Sequence, residues 1–329
     1  GAIFSGSSVP TLYWVGGAGN WSDAMHWSTT SGGAPSAECL LPTNTVNVVF
    51  DENSGFLPNS NVINFDSEAY CQNMTWNNAP NKPILRYISG GGSNMIPLSI
   101  YGSLSMQKEM AFEIGYIHFK TSLPNQNIYS NGFVGLSGDW TMDGTGSWAF
   151  QDDYNNLNSI SLLKGSLNTN NKNISVGSFY ISGGSLSLGS STIKLREIWS
   201  YNGGVVDAGT SHIIFYDLLN GSNSTFNSAY NPGQQYYDIS FLTRSGASTK
   251  SFIAGNFKAN KVTLTNDARF SGNYGDTNND SFNTTINTLI LQPSKTYSLA
   301  PASNLTINDN LYLSGNPCRV TTLQSTVSG

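Results

Sequence analysis

GSLNTNNKNISVGSFYISGGSLSLGSSTIKLREIWSYNGGVVDAGTSHIIF, residues 165–215, decides the fold. Together with GSWAFQ (146–151) it contains four segments that open on Gly146, Gly165, Gly184 and Gly204, stepping by 19, 19 and 20 residues. Aligned on those glycines, Trp148, Leu167, Leu186 and Val206 share one column. Ile174, Ile193 and Ile213 share a second, and Val176, Leu195 and Phe215 a third. Self-similarity at a fixed period near 20 residues marks a solenoid, in which each repeat buries its apolar face against the next. Within the repeats apolar residues alternate, as in Ile174-Ser175-Val176, Leu186-Ser187-Leu188 and Ile193-Lys194-Leu195. Period two means strands with one buried face. The expectation is an all-β parallel β-helix. The alternative is tandem β-sandwich domains, because short strands at 8–12-residue intervals also suit that fold.

Composition agrees. Charged residues make up 11% of the 329 residues and aromatics 12%, and the chain is rich in Gly, Ser, Thr and Asn. Those polar residues favour turns over helix interiors. The aromatic content separates the chain from disordered sequences. Net charge is −5, with 15 Lys and Arg scattered singly. That excludes the basic stripe of a nucleic-acid surface. No apolar run approaches the ~18 residues of a membrane helix, so no membrane insertion is expected. A Ser/Thr/Asn surface with few charges suits an exported protein whose signal has been removed, and the chain reads as part of a longer one.

Around the repeats, residues 1–10 read as a linker or processed terminus. Residues 11–97 form an N-terminal Trp-rich β module or cap. It opens with YWVGGAGNWSDAMHW (13–27), where Trp14, Trp21 and Trp27 surround Gly16, Gly17 and Gly19. The β-helical region is assigned to 98–329 and expected to continue. After Tyr216 the period loosens, although Lys261–Thr265, Thr288–Leu291 and Leu311–Leu313 still read as strands.

The quoted opening, followed by PTNTVNVVFDENSGF (42–56) and CQNMTW (71–76), resembles the large cell-surface repeat proteins of gliding and related Bacteroidota. The resemblance spans residues 11–329, with Gly55 between Ser54 and Phe56 as a small departure. It implies export by type IX secretion and display at the outer membrane as an adhesin, with a role in gliding motility or surface attachment. The partners it implies are surface glycans or other cell-surface components, and the secretion and gliding machinery. It transfers no catalytic residue.

Candidate chemistry is sparse. Asp276, Asn278 and Asp280 have the D-x-N-x-D spacing of a calcium loop, but Ser281 stands at the glycine position and Asn287 at the twelfth. A structural calcium and a plain polar loop both remain readings. Asp23, Asp51, Glu52 and Asp66 are the acidic residues that could gather around an ion in the N-terminal module. Cys39 and Cys71 suit a disulfide in an exported protein, with two buried thiols as the alternative and Cys318 left over. For a polysaccharide lyase or glycoside hydrolase, Asp152 and Asp153 are the nearest carboxylate pair, with Asp207, His212 and Arg196 further on. Neighbours on a strand face opposite ways, which argues against a shared groove. Tyr129, Tyr154, Tyr201, Tyr230, Tyr236, Tyr237 and Tyr274 are candidates for a contact face, with Tyr236 and Tyr237 foremost, because tyrosine stacks on sugar rings. The expected function is therefore structural and adhesive rather than enzymatic. The alternative is a carbohydrate-active enzyme or glycan-binding module on the same fold.

Overall fold

A computed structural model of the chain describes residues 9–87, 97–135, 138–216, 223–242, 250–273, 280–313, 315 and 318–325. Among them the regular structure is nearly all β-strand, and the one helix is the short 3-10 turn Ala24–His26. The fold is a β-solenoid. It divides into two compact units, residues 1–158 with 164–167, and residues 159–163 with 168–329.

In the first unit, parallel ladders begin inside the Trp-rich stretch. Thr11–Trp14 pairs in parallel with Asn47–Asp51, which pairs with Met74–Asn77, then Leu104–Ser105, Gln126–Tyr129 and Ser147–Phe150. Leu12, Val48, Met74, Leu104, Ile128 and Phe150 thereby stack in register, each buried. A second face stacks Cys71, Ile100, Phe119 and Met142. A third stacks Ile63, Leu85 and Phe112. The Trp-rich residues thus belong to the first rungs. What closes the edge is local. Trp27–Ser28 folds back antiparallel on Thr11–Trp14, with Trp14 opposite Trp27. Trp14, Trp21, Trp27 and Phe50 pack as edge-on or tilted pairs at 4.9–6.3 Å, and Phe50 stacks on Trp76 at 4.0 Å. Two of the buried indole N–H groups are satisfied locally: Trp14 Nε1 donates to Gly17 O at 2.6 Å and Trp27 Nε1 to Trp21 O at 3.0 Å, whereas Trp76 Nε1 is buried without a partner among the described residues. Gly55 has a use here. Its φ is +79°, the amide of Gly17 (φ +77°) donates to Ser54 O, and a Cβ on Gly17 would lie 2.6 Å from Gly55 O. Two backbones meet where side chains cannot fit.

The second unit carries the predicted columns. Ile174 pairs with Ile193 and Ile193 with Ile213, Val176 with Leu195 and Leu195 with Phe215, and Leu186 with Val206. All are buried. Gly184 (φ +67°) and Gly204 (φ +80°) turn corners, and a Cβ on Gly204 would lie 2.4 Å from Gly184 O. The ladder does not stop at Tyr216. Ile213 continues to Ile239, Val262, Leu289 and Leu311, and Phe215 to Phe241, Leu264, Leu291 and Leu313. An opposite face stacks Trp199, Phe226, Ile253, Phe270 and Leu299. Sandwich sheets are antiparallel, so these parallel ladders remove that alternative. The looser spacing reflects rungs with longer connections around an unchanged core.

Candidate functional site

The strand Gln234–Phe241 explains the site. Its burial alternates up to Tyr236, then Tyr237 and Asp238 both face outward, and Ile239 returns to the core. Two successive outward residues mark a corner of the coil. The same corner recurs at Asn260-Lys261 and Asn287-Thr288, where the flanking Ala259, Val262, Ile286 and Leu289 are buried. Pairing of Tyr236 with Ala259, Ala259 with Ile286 and Ile286 with Ile307 sets the corners side by side. Tyr237, Asn260, Asn287 and Asn308 thus follow one another across four rungs.

Beside this row lies a groove of about 550 Å³, which these four residues help to line. Gln235, Lys258 and Thr285, paired in register, form a second row along it. Val206 to Gly209 also line it. Asn308 Nδ2 donates to Asn287 Oδ1 at 3.0 Å, and Asn260 Nδ2 to Asp238 Oδ1 at 3.1 Å, so three of the amides are held in place. Asp238 is further tied to Lys261 Nζ at 2.8 Å. Among the described residues Asp207 is the only carboxylate in the lining, and one of its oxygens accepts from Gly209 N at 3.1 Å. Among the described residues the groove therefore offers amides, hydroxyls, one exposed aromatic ring and one charge of each sign. The chain matches no protein-family model, no curated protein and no solved structure.

The two foremost tyrosines part company. Tyr237 is 43% exposed in the groove, whereas Tyr236 is 5% exposed and belongs to the core. The Tyr236 hydroxyl accepts from Trp199 Nε1 at 3.3 Å and shares a hydrogen bond with Ser228 Oγ at 2.9 Å. Its ring lies edge-on to Phe226 at 5.0 Å, and burial pushes its hydroxyl pKa well up. Adjacent residues on a strand face opposite ways, so both could not face outward before the corner. Tyr154 and Tyr201 are likewise buried, with hydroxyls bonded to Asn158 and Gly204 O. Tyr129 and Tyr230 are exposed, and Tyr274 lies outside the described residues.

The other expected groups serve local structure. Asp152 accepts the amides of Ser130 at 2.7 Å and Asn131 at 2.6 Å, tying one rung's turn to the next. Asp23 accepts from Met25 N, Asp51 from Asn53 N, and Asp66 from both the amide and the hydroxyl of Ser22. Glu52 is exposed. Among the described residues, no three His, Cys, Asp or Glu side chains gather to hold a metal ion. Of the calcium loop, Asp276 and Asn278 lie outside the described residues; Asp280 is exposed, and its carbonyl accepts from Gly272 N.

The Cys39–Cys71 disulfide is a correction. Both thiols are free, Cys39 in an exposed loop and Cys71 wholly buried against Ile100 in the next rung. Burial pushes the Cys71 thiol far up, so its thiolate is inaccessible at neutral pH. Cys318 is exposed. Iodoacetamide at pH 8 is expected to label Cys39 in the native protein and Cys71 only after unfolding, read by peptide mass spectrometry. Protection of Cys39 together with Cys71 until reduction would restore the disulfide.

One constellation was hidden from the sequence. His212 Nε2 lies 2.8 Å from Ser240 Oγ, and His212 pairs in register with Asp238. Burial holds the imidazole below its ordinary pKa, and Asp238 pulls the other way. Ser240 is 4% exposed, Asp238 is committed to Lys261 and Asn260, and neither His212 nor Arg196 lines the groove.

Proposed function

We propose that this chain is a structural and adhesive β-solenoid segment, displayed outside the cell, that makes contact through the groove beside Tyr237. The observation that carries this reading is the groove's lining: an exposed aromatic ring beside a row of amides, with Asp207 as its only carboxylate among the described residues. Glycoside hydrolysis needs two carboxylates about 5–9.5 Å apart. A ring amid convergent hydrogen-bonding groups is what a contact surface for carbohydrate requires. Strands that contact mainly their neighbours make a stiff scaffold, suited to holding that surface in place. The resemblance of residues 13–27, 42–56 and 71–76 to gliding-type Bacteroidota surface proteins supports type IX export, a cell-surface location and a role in attachment or gliding.

The test couples binding to turnover. Beads carrying the 329-residue chain are washed over polysaccharide-coated and bare surfaces, and the released sugar is assayed for new reducing ends and unsaturated products. Selective retention with no release is expected. Release that grows with time would replace adhesion by catalysis, and equal retention on bare surfaces would remove the adhesive reading.

A further inference from the structure

We infer that the groove binds an extended, uncharged pyranose chain laid across the rungs, about one sugar ring to a rung, with one ring stacked on Tyr237. The inference rests on the adhesive reading above and names its ligand.

Direction comes first. Tyr237, Asn260, Asn287 and Asn308 belong to four successive rungs brought together by the in-register pairing of Tyr236, Ala259, Ile286 and Ile307. Parallel strands stand about 4.8 Å apart, close to the about 5 Å advance of one ring in an extended (1→4)-linked chain. A row of like side chains at that interval can meet like hydroxyls on consecutive rings. A ligand running along a single strand would meet unlike residues instead.

Chemistry comes second. Each primary amide presents two donors and an acceptor, which matches a vicinal diol that both gives and takes hydrogen bonds. Phosphates and carboxylates draw guanidinium or ammonium groups in forked or clustered arrangements. Among the described residues Lys258 is the one cation in the lining and Asp207 the one anion, so their formal charges cancel. The Tyr237 ring offers a flat apolar face to the C–H side of a pyranose. At about 550 Å³, the groove falls within the ~300–1,000 Å³ usual for small-ligand sites. The Asn308–Asn287 and Asn260–Asp238 hydrogen bonds hold three amides ready, so little ordering is lost on binding.

Calorimetric titration of the full chain with β-(1→4)-linked gluco- and manno-oligosaccharides of two to six rings, and with galacturonate oligomers of equal length, tests this. Affinity is expected to climb with each ring up to about four, one per rung, and then level off, with uronates weaker at every length. Tyr237→Ala should weaken the tetramer about tenfold or more, and Asn287→Ala should weaken the tetramer while changing the dimer little. Tyr129→Ala, exposed in the other unit, should change nothing. Thermal melting of each variant separates misfolding from lost contacts. Affinity independent of length, or unmoved by Tyr237→Ala, overturns the axial arrangement, and tighter uronate binding overturns the uncharged ligand. Absence of oligosaccharide binding while beads are still retained overturns this inference and spares the adhesive reading. Loss of both overturns both.

Discussion

Leu186→Asp is expected to unfold the second unit. Leu186 is fully buried and stacks on Val206 in the next rung. A carboxylate there has no partner, and burying an unpaired charge costs at least several kcal/mol even after water penetration. That is comparable to the whole stability of an ordinary domain, about 5–15 kcal/mol. Ser187 sits one position along the same strand, faces outward, and pairs in register with Asp207. Ser187→Asp therefore meets only a neighbouring like charge on a wet surface, a cost of about 1 kcal/mol or less. Urea unfolding should show the first variant lacking the native baseline and the second near wild type. Similar midpoints for both would mean that Leu186 does not face a core.

The second large effect belongs to the Trp-rich edge. Trp27→Ala removes a ring that is 0% exposed, lies against Trp14 at 5.0 Å and Trp21 at 4.9 Å, and donates to Trp21 O. Truncating a buried Trp costs about 3–5 kcal/mol, and relaxation around the remaining rings sets where in that range it falls. The first unit should melt on the order of 10 °C lower, with loss of near-ultraviolet circular dichroism from the indole cluster. Because solenoid rungs couple mainly to their neighbours, the damage should centre on that edge. Limited proteolysis should cut first near residues 11–77. A melting temperature within about 2 °C of wild type would show that the cluster decorates the edge instead of closing it.

The columns Ile174–Ile193–Ile213 and Val176–Leu195–Phe215 were legible because their rungs have nearly equal length and each opens on a corner glycine. The continuation through Ile239, Val262, Leu289 and Leu311 was obscured because connection lengths vary and a glycine no longer leads each rung. Aligning instead on the rung ends exposes it: ANKVTL (259–264), INTLIL (286–291) and INDNLYL (307–313) share an apolar residue, an asparagine and a closing leucine. That alignment also reveals the asparagine row of the groove, which spacing from leading glycines cannot. Tyr236 and Tyr237 show the opposite difficulty. Alternation says that one faces in and one out, but only the corner at Tyr237-Asp238 decides which. The Trp-rich opening reads as a cap from its composition, whereas the part its neighbourhood plays in the first rungs, with Val48, Met74 and Leu104 in register, shows only in the strand pairing.

The groove exists only if side chains far apart in sequence stand side by side. Lys258 and Thr285 are in-register partners on adjacent strands and both line it. The most direct measurement is oxidative cross-linking of a Lys258→Cys/Thr285→Cys variant in a background with Cys39 and Cys318 changed to Ser, compared with Lys258→Cys/Asn287→Cys. Partners about 4.8 Å apart lie within the Cα separation of about 4.4–6.8 Å that a disulfide spans, whereas the second pair is offset two residues along the strand. The linked peptide should form readily in the first variant and scarcely in the second. Equal yields, or a preference for the second, would contradict the register on which the groove is built.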